Sequence, residues 1–600
     1  MRLFLLCALG VLCGEIPLLA APLPLGKVPP GKVFLVVLPH HDDHTWEYGF
    51  GGLIAKFVDA GYTGYYIRVS NDEKDGASWA DDDITNHREC LEAVRFLGMK
   101  DVISLNWRND HSDSVPLNEI RAQLVLLFRK YKPEAVFAYN PWGHYDRNPD
   151  HRTTARAVAE AVLAAGNPNF YPEHLKLGLQ PHRVLYRYFS QRSDYGHGYD
   201  PNIAVELTPA EMQRKAQAFW MNRSARLQPS LGHSIRAQLA QAGLRIPELD
   251  GLSDLDATKK LQEWRMYWIS EKRGKENGVK YAEVFYFQDA FDDLPGLKDA
   301  VLGGSAPAES PSRPAPATLV PRQAARVLVV TAHADDYLLY AGGALAGLIA
   351  QGAAVRVIRV TNDEKEGRGL TPEQAALHNS EEAEQAARAL GVQEVVSLGY
   401  REGELAAVSP TELRDRILFY IRLYQPDALF LPNPDTHYDD NLDHYYAGSA
   451  AEEARWAAAV RNFEPPFALA GLRRHLTPEL YYYAPPVDPR RREAESTATF
   501  TPQPRIVDIA ATFDRKLRAV RALQTLNHSV AAVLQARLAA TGRRLPLLDS
   551  VTAESVSRLA EIRLRNLARD AAQGSPLSLA EEFEYAGPEF QTPSAYRAAR

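Results

Sequence analysis

Apolar residues fall along this chain in two rhythms. Short unbroken runs, VFLVVL at 33–38, YYIRV at 65–69, DVISL at 101–105 and AVFAY at 135–139, alternate with longer stretches of helical period at 53–60, 85–97 and 117–131. A short apolar run without polar alternation fits a strand covered on both faces, and the 3.6-residue period fits a helix covering it. From residue 326 the order returns as RVLVV, VRVIRV, EVVSL and ALFLP. The pattern predicts an α/β architecture with mostly parallel, doubly wound sheets. Each core is followed by a helical segment, about 208–242 and 511–541, and closes on a related string, AEVFYF or AEEFEY. The acids in these strings, Glu283 and Glu581, read as surface charge, with substrate binding as the other possibility.

The recurrence is a duplication. His40 and His333, Asp43 and Asp336, and His151 and His444 are each separated by 293 residues. Residues 303–323, rich in Pro, Ala and Ser, read as a linker between a first domain at 30–300 and a second at 324–600. Six hundred residues exceed what one core organises, in keeping with two domains.

The chain begins with Arg2, an apolar run over 3–12 and small residues at Ala20 and Ala21. That is the build of a secretory signal peptide covering 1–21, and it predicts a secreted or periplasmic protein. The run is too short for a bilayer span, and no later stretch is apolar enough to predict one in the mature chain. Of three cysteines, only Cys90 lies beyond the signal, so no intrachain disulfide is expected. A net charge of −7, with acids and bases interleaved, offers no basic stripe for nucleic acid.

The polar motifs sit where a doubly wound sheet binds ligands, just after strands. Residues 40–44 read His-His-Asp-Asp-His, and either flanking histidine can serve as a ligand beside His40. The second copy narrows this, because Ala334 and Tyr337 replace His41 and His44 while His333 remains. The shared pattern is His-x-Asp-Asp, followed 108 residues after its last Asp by His151 or His444. Two histidines and a carboxylate per copy make a three-ligand set with a position left for water. Asp150 and Asp443 stand ready to orient ligands. At the next strand end, Arg68, Asn71, Asp72 and Glu73, matched by Arg359, Asn362, Asp363 and Glu364, read equally as contacts for sugar hydroxyls or as turn residues. Trp46 and Trp142 can stack on a sugar ring, although packing is the commoner role.

These motifs resemble the PIG-L/LmbE-type zinc deacetylases, which remove acetyl groups from N-acetylglucosaminyl compounds. The resemblance implies two tandem Rossmann-like domains, each with one Zn2+ held by His40, Asp43 and His151 or by His333, Asp336 and His444. It implies Asp42 and Asp335 as general bases and an N-acetylated sugar or glycoconjugate as substrate. The chain departs from the family where Asn148 and Asn441 replace the first His of the usual His-Pro-Asp-His. The transition-state donor then falls to His144 or His437, or to the asparagine amides themselves. Two other readings compete: a glycan-binding protein with one or both sites inactive, and a metal phosphohydrolase suggested by His41-Asp42. The phosphohydrolase reading fits poorly, because those domains are all-helical and this dipeptide follows a strand.

Overall fold

The computed structural model describes residues 19–20, 27–74, 82–141, 146, 148–190, 201–292, 294, 296–302, 325–434, 441–460, 463–483 and 503–586. The linker at 303–323, most of the signal segment 1–21, and Trp142, His144 and His437 lie outside the described residues. The chain divides into two compact units, Met1–Asp289 and Ala290–Arg600. Residues 290–302, which the sequence reading puts at the end of the first copy, therefore go with the second unit. Arg537 donates to the Ala290 carbonyl at 2.7 Å and Asn566 to that of Gly296 at 2.9 Å.

The strands of the first unit are β1 Leu19–Ala20, β2 Val33–Leu38, β3 Thr63–Ser70, β4 Asp101–Trp107, β5 Ala135–Tyr139, β6 Tyr186–Ser190, β7 Ile203–Leu207 and β8 Tyr281–Gln288. They lie in the order β1-β7-β8-β6-β5-β2-β3-β4. The second unit has β9 Arg326–Thr331, β10 Ala354–Thr361, β11 Glu394–Tyr400, β12 Ala428–Pro432, β13 Glu479–Tyr483, β14 Gln503–Asp508 and β15 Ala580–Tyr585, ordered β11-β10-β9-β12-β13-β15-β14. Five consecutive strands in each sheet are parallel, and the strand formed by the closing string, β8 or β15, runs antiparallel beside them. The register repeats as well: Phe34 faces Ala135, and Val327 faces Ala428.

The central strands β2, β5, β9 and β12 are buried almost throughout, which explains their unbroken apolar runs. The chain moves from β2 to β3 on one side, and later returns to β5 on the other. The carboxyl ends of β2 and β5, and of β9 and β12, therefore flank the point where strand order reverses, the usual crevice for a ligand.

The closing strand has a specific task. The fully buried Glu283 on β8 accepts hydrogen bonds from the amides of Gly52 and Leu53 at 2.9 and 2.8 Å, at the start of the helix Gly51–Ala60. It also pairs with buried Lys215 at 2.9 Å, whose ammonium reaches the Glu47 carbonyl at 2.9 Å. Glu581 repeats this with the amides of Gly343 and Ala344 and with Lys516, which reaches the Leu339 carbonyl. Glu283 and Glu581 are thus neither surface charges nor sugar ligands. They satisfy the open amides of a helix N-terminus and favour its positive end. Gly52 makes the close approach possible, since a Cβ there would meet the Leu207 side chain at 2.3 Å.

Candidate metal centre

The loop leaving β2 carries His40 to Asp43 into a short 3-10 turn, Asp43–Thr45, and the loop leaving β5 ends at the helix Pro149–Ala165. Asn148 caps that helix, its side-chain oxygen accepting from the Asp150 amide at 2.8 Å, and Pro149 opens the first turn. His151 is therefore held in the first turn, facing back across the strand ends. Asn441 caps the helix Leu442–Ala459 in the same way, at 3.1 Å from the Asp443 amide. The asparagines that the sequence offers as amide donors commit their carbonyl oxygens to these caps.

In the first unit His40 Nδ1 lies 3.2 Å from Asp43 Oδ2 and 3.2 Å from His151 Nε2, and His151 Nε2 lies 3.5 Å from Asp43 Oδ1. In the second, His333 Nδ1 is 3.5 Å from Asp336 Oδ2 and 3.1 Å from His444 Nε2, which is 3.1 Å from Asp336 Oδ1. Ligands about 2.0–2.1 Å from a tetrahedral ion stand about 3.3–3.4 Å from one another, so both clusters have the spacing of three ligands on one divalent ion. His41 and His44 stay out of the cluster. His41 is buried against Asp72, and His44 packs on Tyr66 with ring centroids 4.4 Å apart. Burial pushes His44 down to about 3, so it remains a neutral ring.

Neighbours fix which nitrogen of each imidazole faces inward. His151 Nδ1 is 2.7 Å from Asp146 Oδ2, which assigns its proton there and leaves the Nε2 lone pair for an ion. His40 Nε2 is 3.4 Å from Asp150 Oδ2, and His333 Nε2 is 3.4 Å from Asp443 Oδ2, leaving Nδ1 inward in both. Asp150 is itself held by the amides of Asp110 and Ser112, at 2.7 and 3.1 Å. Asp43 accepts from the His40 amide at 2.8 Å and from the Tyr139 hydroxyl at 2.8 Å. In the second unit Pro432 stands in place of Tyr139, and Asp336 accepts from the His333 amide at 2.7 Å and from Thr331 at 3.3 Å.

The electrostatics favour a cation. Burial opposes charge at Asp43 and Asp336, yet the paired histidines hold both carboxyls well below their usual range. Burial likewise opposes protonation of His40 and His333, and Asp43 with Asp150, or Asp336 with Asp443, raises both rings nevertheless. Two imidazoles and a carboxylate that jointly stabilise positive charge are a suitable donor set for a divalent ion.

Asp42 and Asp335 stand beside these clusters in different company. Burial would raise Asp42, but buried Arg226, in the short helix Arg223–Arg226, pairs with its carboxylate and keeps it low. Asp335 is raised by burial and by Asp336, with Arg563 only partly offsetting them. The sequence reading missed Arg226, because Asn527 occupies the matching place in the second copy.

Of the proposed sugar contacts at the next strand end, Arg68, Asp72, Arg359 and Asp363 are turned into the protein, while Asn71, Glu73 and Asn362 stay partly exposed. Arg68 donates to Asp72 at 3.1 Å and to Ser104 at 3.1 Å, and Arg359 donates to Asp363 at 3.2 Å and to Ser397 at 3.2 Å. Burial raises Asp363 to about 6 despite Arg359. Asp72 and Asp363 take the left-handed conformation, with φ of 55° and 54°, so each strand turns sharply at this point. Asn71 accepts from the Glu73 and Asn109 amides, at 3.3 and 3.2 Å, and Asn362 accepts from the Glu364 amide at 3.2 Å. These residues shape the strand ends beside the centre. Trp46 is likewise engaged, with the Arg226 guanidinium 3.8 Å above its ring.

The sequence model of the GlcNAc-PI de-N-acetylase (PIG-L) family matches residues 35–162 and 328–455, one stretch in each unit. The chain is 29% identical over 185 residues to the diacetylchitobiose deacetylase of Thermococcus kodakarensis, an alignment spanning 30% of this chain and 64% of that protein. Among solved structures it is similar to the N,N'-diacetylchitobiose deacetylase of Pyrococcus horikoshii (26% identity, 45% of this chain and 89% of that one, TM-score 0.35). It is also similar to GalB, the 4-carboxy-2-hydroxymuconate hydratase of Pseudomonas putida (22% identity, 44% and 97%, TM-score 0.32). The PIG-L family model thus matches this chain twice, once in each unit as two tandem copies, over the stretches that carry the two His-Asp-His clusters.

Proposed function

We propose that this chain is an exported, zinc-dependent N-deacetylase acting on an N-acetylglucosamine-type sugar or glycoconjugate. The observation that carries the reading is the paired His-Asp-His clusters at the strand-order reversal of both units, with ligand spacings that fit a tetrahedral ion. The substrate class rests on the Thermococcus relative, whose name assigns it diacetylchitobiose.

A divalent ion held there would acidify water and polarise an acetamide carbonyl. The chain supplies the rest. Asp146 and Asp150 keep the histidines turned inward, and Tyr139 fixes Asp43. Asp335 and Asp42, each one residue before a ligand carboxylate, are the two candidates for taking a proton from attacking water and returning it to the leaving nitrogen. Water oxygen bonds to the acyl carbon, the C–N bond breaks, and the products are acetate and a free amine. No helix among the described residues is long and apolar enough to cross a membrane.

The test is the double variant Asp42→Asn with Asp335→Asn. Asparagine keeps the shape but accepts no proton at neutral pH, so acetate release falls by about 10²–10⁴ while the metal stays. Near-normal turnover in that variant removes the base assignment. Loss of metal would make these carboxylates ligands.

A further inference from the structure

The two centres differ in what surrounds the residue before the ligand carboxylate. In the first unit Arg226 is fully buried and pairs through Nη1 with Asp42 Oδ2. Its other amino group reaches the Asp42 carbonyl at 3.2 Å and Thr45 Oγ1 at 3.4 Å. The guanidinium packs on two rings, 3.8 Å from the Trp46 centroid and 4.4 Å from that of Phe219. Both amino groups of the cation are thus engaged at Asp42 or Thr45, and the carboxylate is tied to the helix side of the site.

In the second unit, among the described residues, no arginine hydrogen-bonds Asp335, and Arg563 acts on it through its charge alone. Lys215 and Lys516 pair with the matching acids Glu283 and Glu581, and the amides of Ser224 and Thr525 donate to Glu89 and Glu382 at 2.8 Å. The register so fixed puts Val520 at the place of Phe219 and Asn527 at the place of Arg226. Asn527 turns its amide to the Val520 carbonyl at 2.7 Å. The second centre is also more open: the His444 side chain is 16% exposed against 5% for His151, and Asp335 is partly exposed where Asp42 is buried.

A general base must first have a lone pair within reach of the proton it takes. Turning Asp42 toward a water would leave a buried guanidinium without its counter-charge, an arrangement proteins strongly disfavour. We propose that the second copy carries the hydrolysis, and that the first is a metal-holding copy whose Asp42 is tethered by Arg226. This rests on the deacetylase reading above.

The experiment compares acetate release from the full chain, Asp335→Asn, and Asp335→Asn with Arg226→Asn, with metal content measured on the same samples and N,N'-diacetylchitobiose as the probe. If the unaltered chain releases no acetate, the deacetylase reading fails and the inference falls with it. Given activity, Asp335→Asn is expected to lose at least 100-fold while keeping both metal equivalents. Retention of about half the turnover would mean that the copies work alike, and would overturn the inference. Arg226→Asn installs the residue that the second copy uses, and in the Asp335→Asn background it is expected to raise turnover at least tenfold. A double variant that keeps both metal equivalents without that gain would overturn the role given to Arg226. If the double variant loses a metal equivalent, the Asp335→Asn result alone decides.

Discussion

Replacing Glu283 by Ala tests how each unit secures the loop that carries its metal ligands. The carboxylate is fully buried, takes two helix amides at 2.9 and 2.8 Å, and neutralises Lys215 at 2.9 Å. Removing it leaves a buried ammonium unpaired, and breaking a buried pair in this way costs about 3–5 kcal/mol. Each lost bond from an amide to a charged acceptor is worth about 1.5–3 kcal/mol by itself, but the losses overlap and do not add. At roughly 2–4 °C per kcal/mol for a domain of this size, the transition of the first unit falls on the order of 10 °C. Calorimetry reads this directly, with the transition of the second unit as an internal reference. Lys215→Met combined with Glu283→Gln removes the stranded charge and should lose less than Glu283→Ala. A Glu283→Ala transition within about 2 °C of the parent would refute the reasoning.

Three further outcomes follow from the geometry. His151→Ala removes one metal equivalent and His444→Ala the other, as read by elemental analysis of the purified chain. Asp146→Ala frees His151 Nδ1 from its 2.7 Å partner, and should weaken metal binding in the first unit about 10–100-fold in a chelator competition. Material recovered from outside the cell begins near Pro22 on N-terminal sequencing, whereas a mature chain starting at Met1 would remove the export proposal.

The sequence shows the parts of this protein that duplication repeats. The interval of 293 residues picks His40, Asp43 and His151 out of a histidine-rich motif, and the structure gathers these three rather than His41 or His44. The apolar runs at 33–38 and 135–139 announce central strands because burial on both faces leaves no polar alternation. What escapes are roles set by distant partners. Glu283 and Glu581 repeat in the sequence, yet only the fold shows that β8 and β15 bring them under a helix start. Arg226 pairs with Asp42 across 184 residues of chain. With Asn527 as its counterpart, a comparison of copies passes over it. Arg68 and Arg359 look like substrate contacts because they neighbour a polar strand end, but their donors are spent on Asp72 and Asp363 inside the protein. The strands β6, β7, β13 and β14, which extend each sheet beyond β5 or β12, went unseen for a related reason. They are no shorter than β5 and β12, but only their pairing in the sheet distinguishes them from loop.

The most direct test of the central claim is acetate release from an N-acetylated chitooligosaccharide, measured together with zinc content before and after chelation. Two zinc equivalents per chain are predicted, with release that stops when the ion is removed and returns when it is restored. Undiminished release from metal-free protein, or no release from fully loaded protein, would contradict the account.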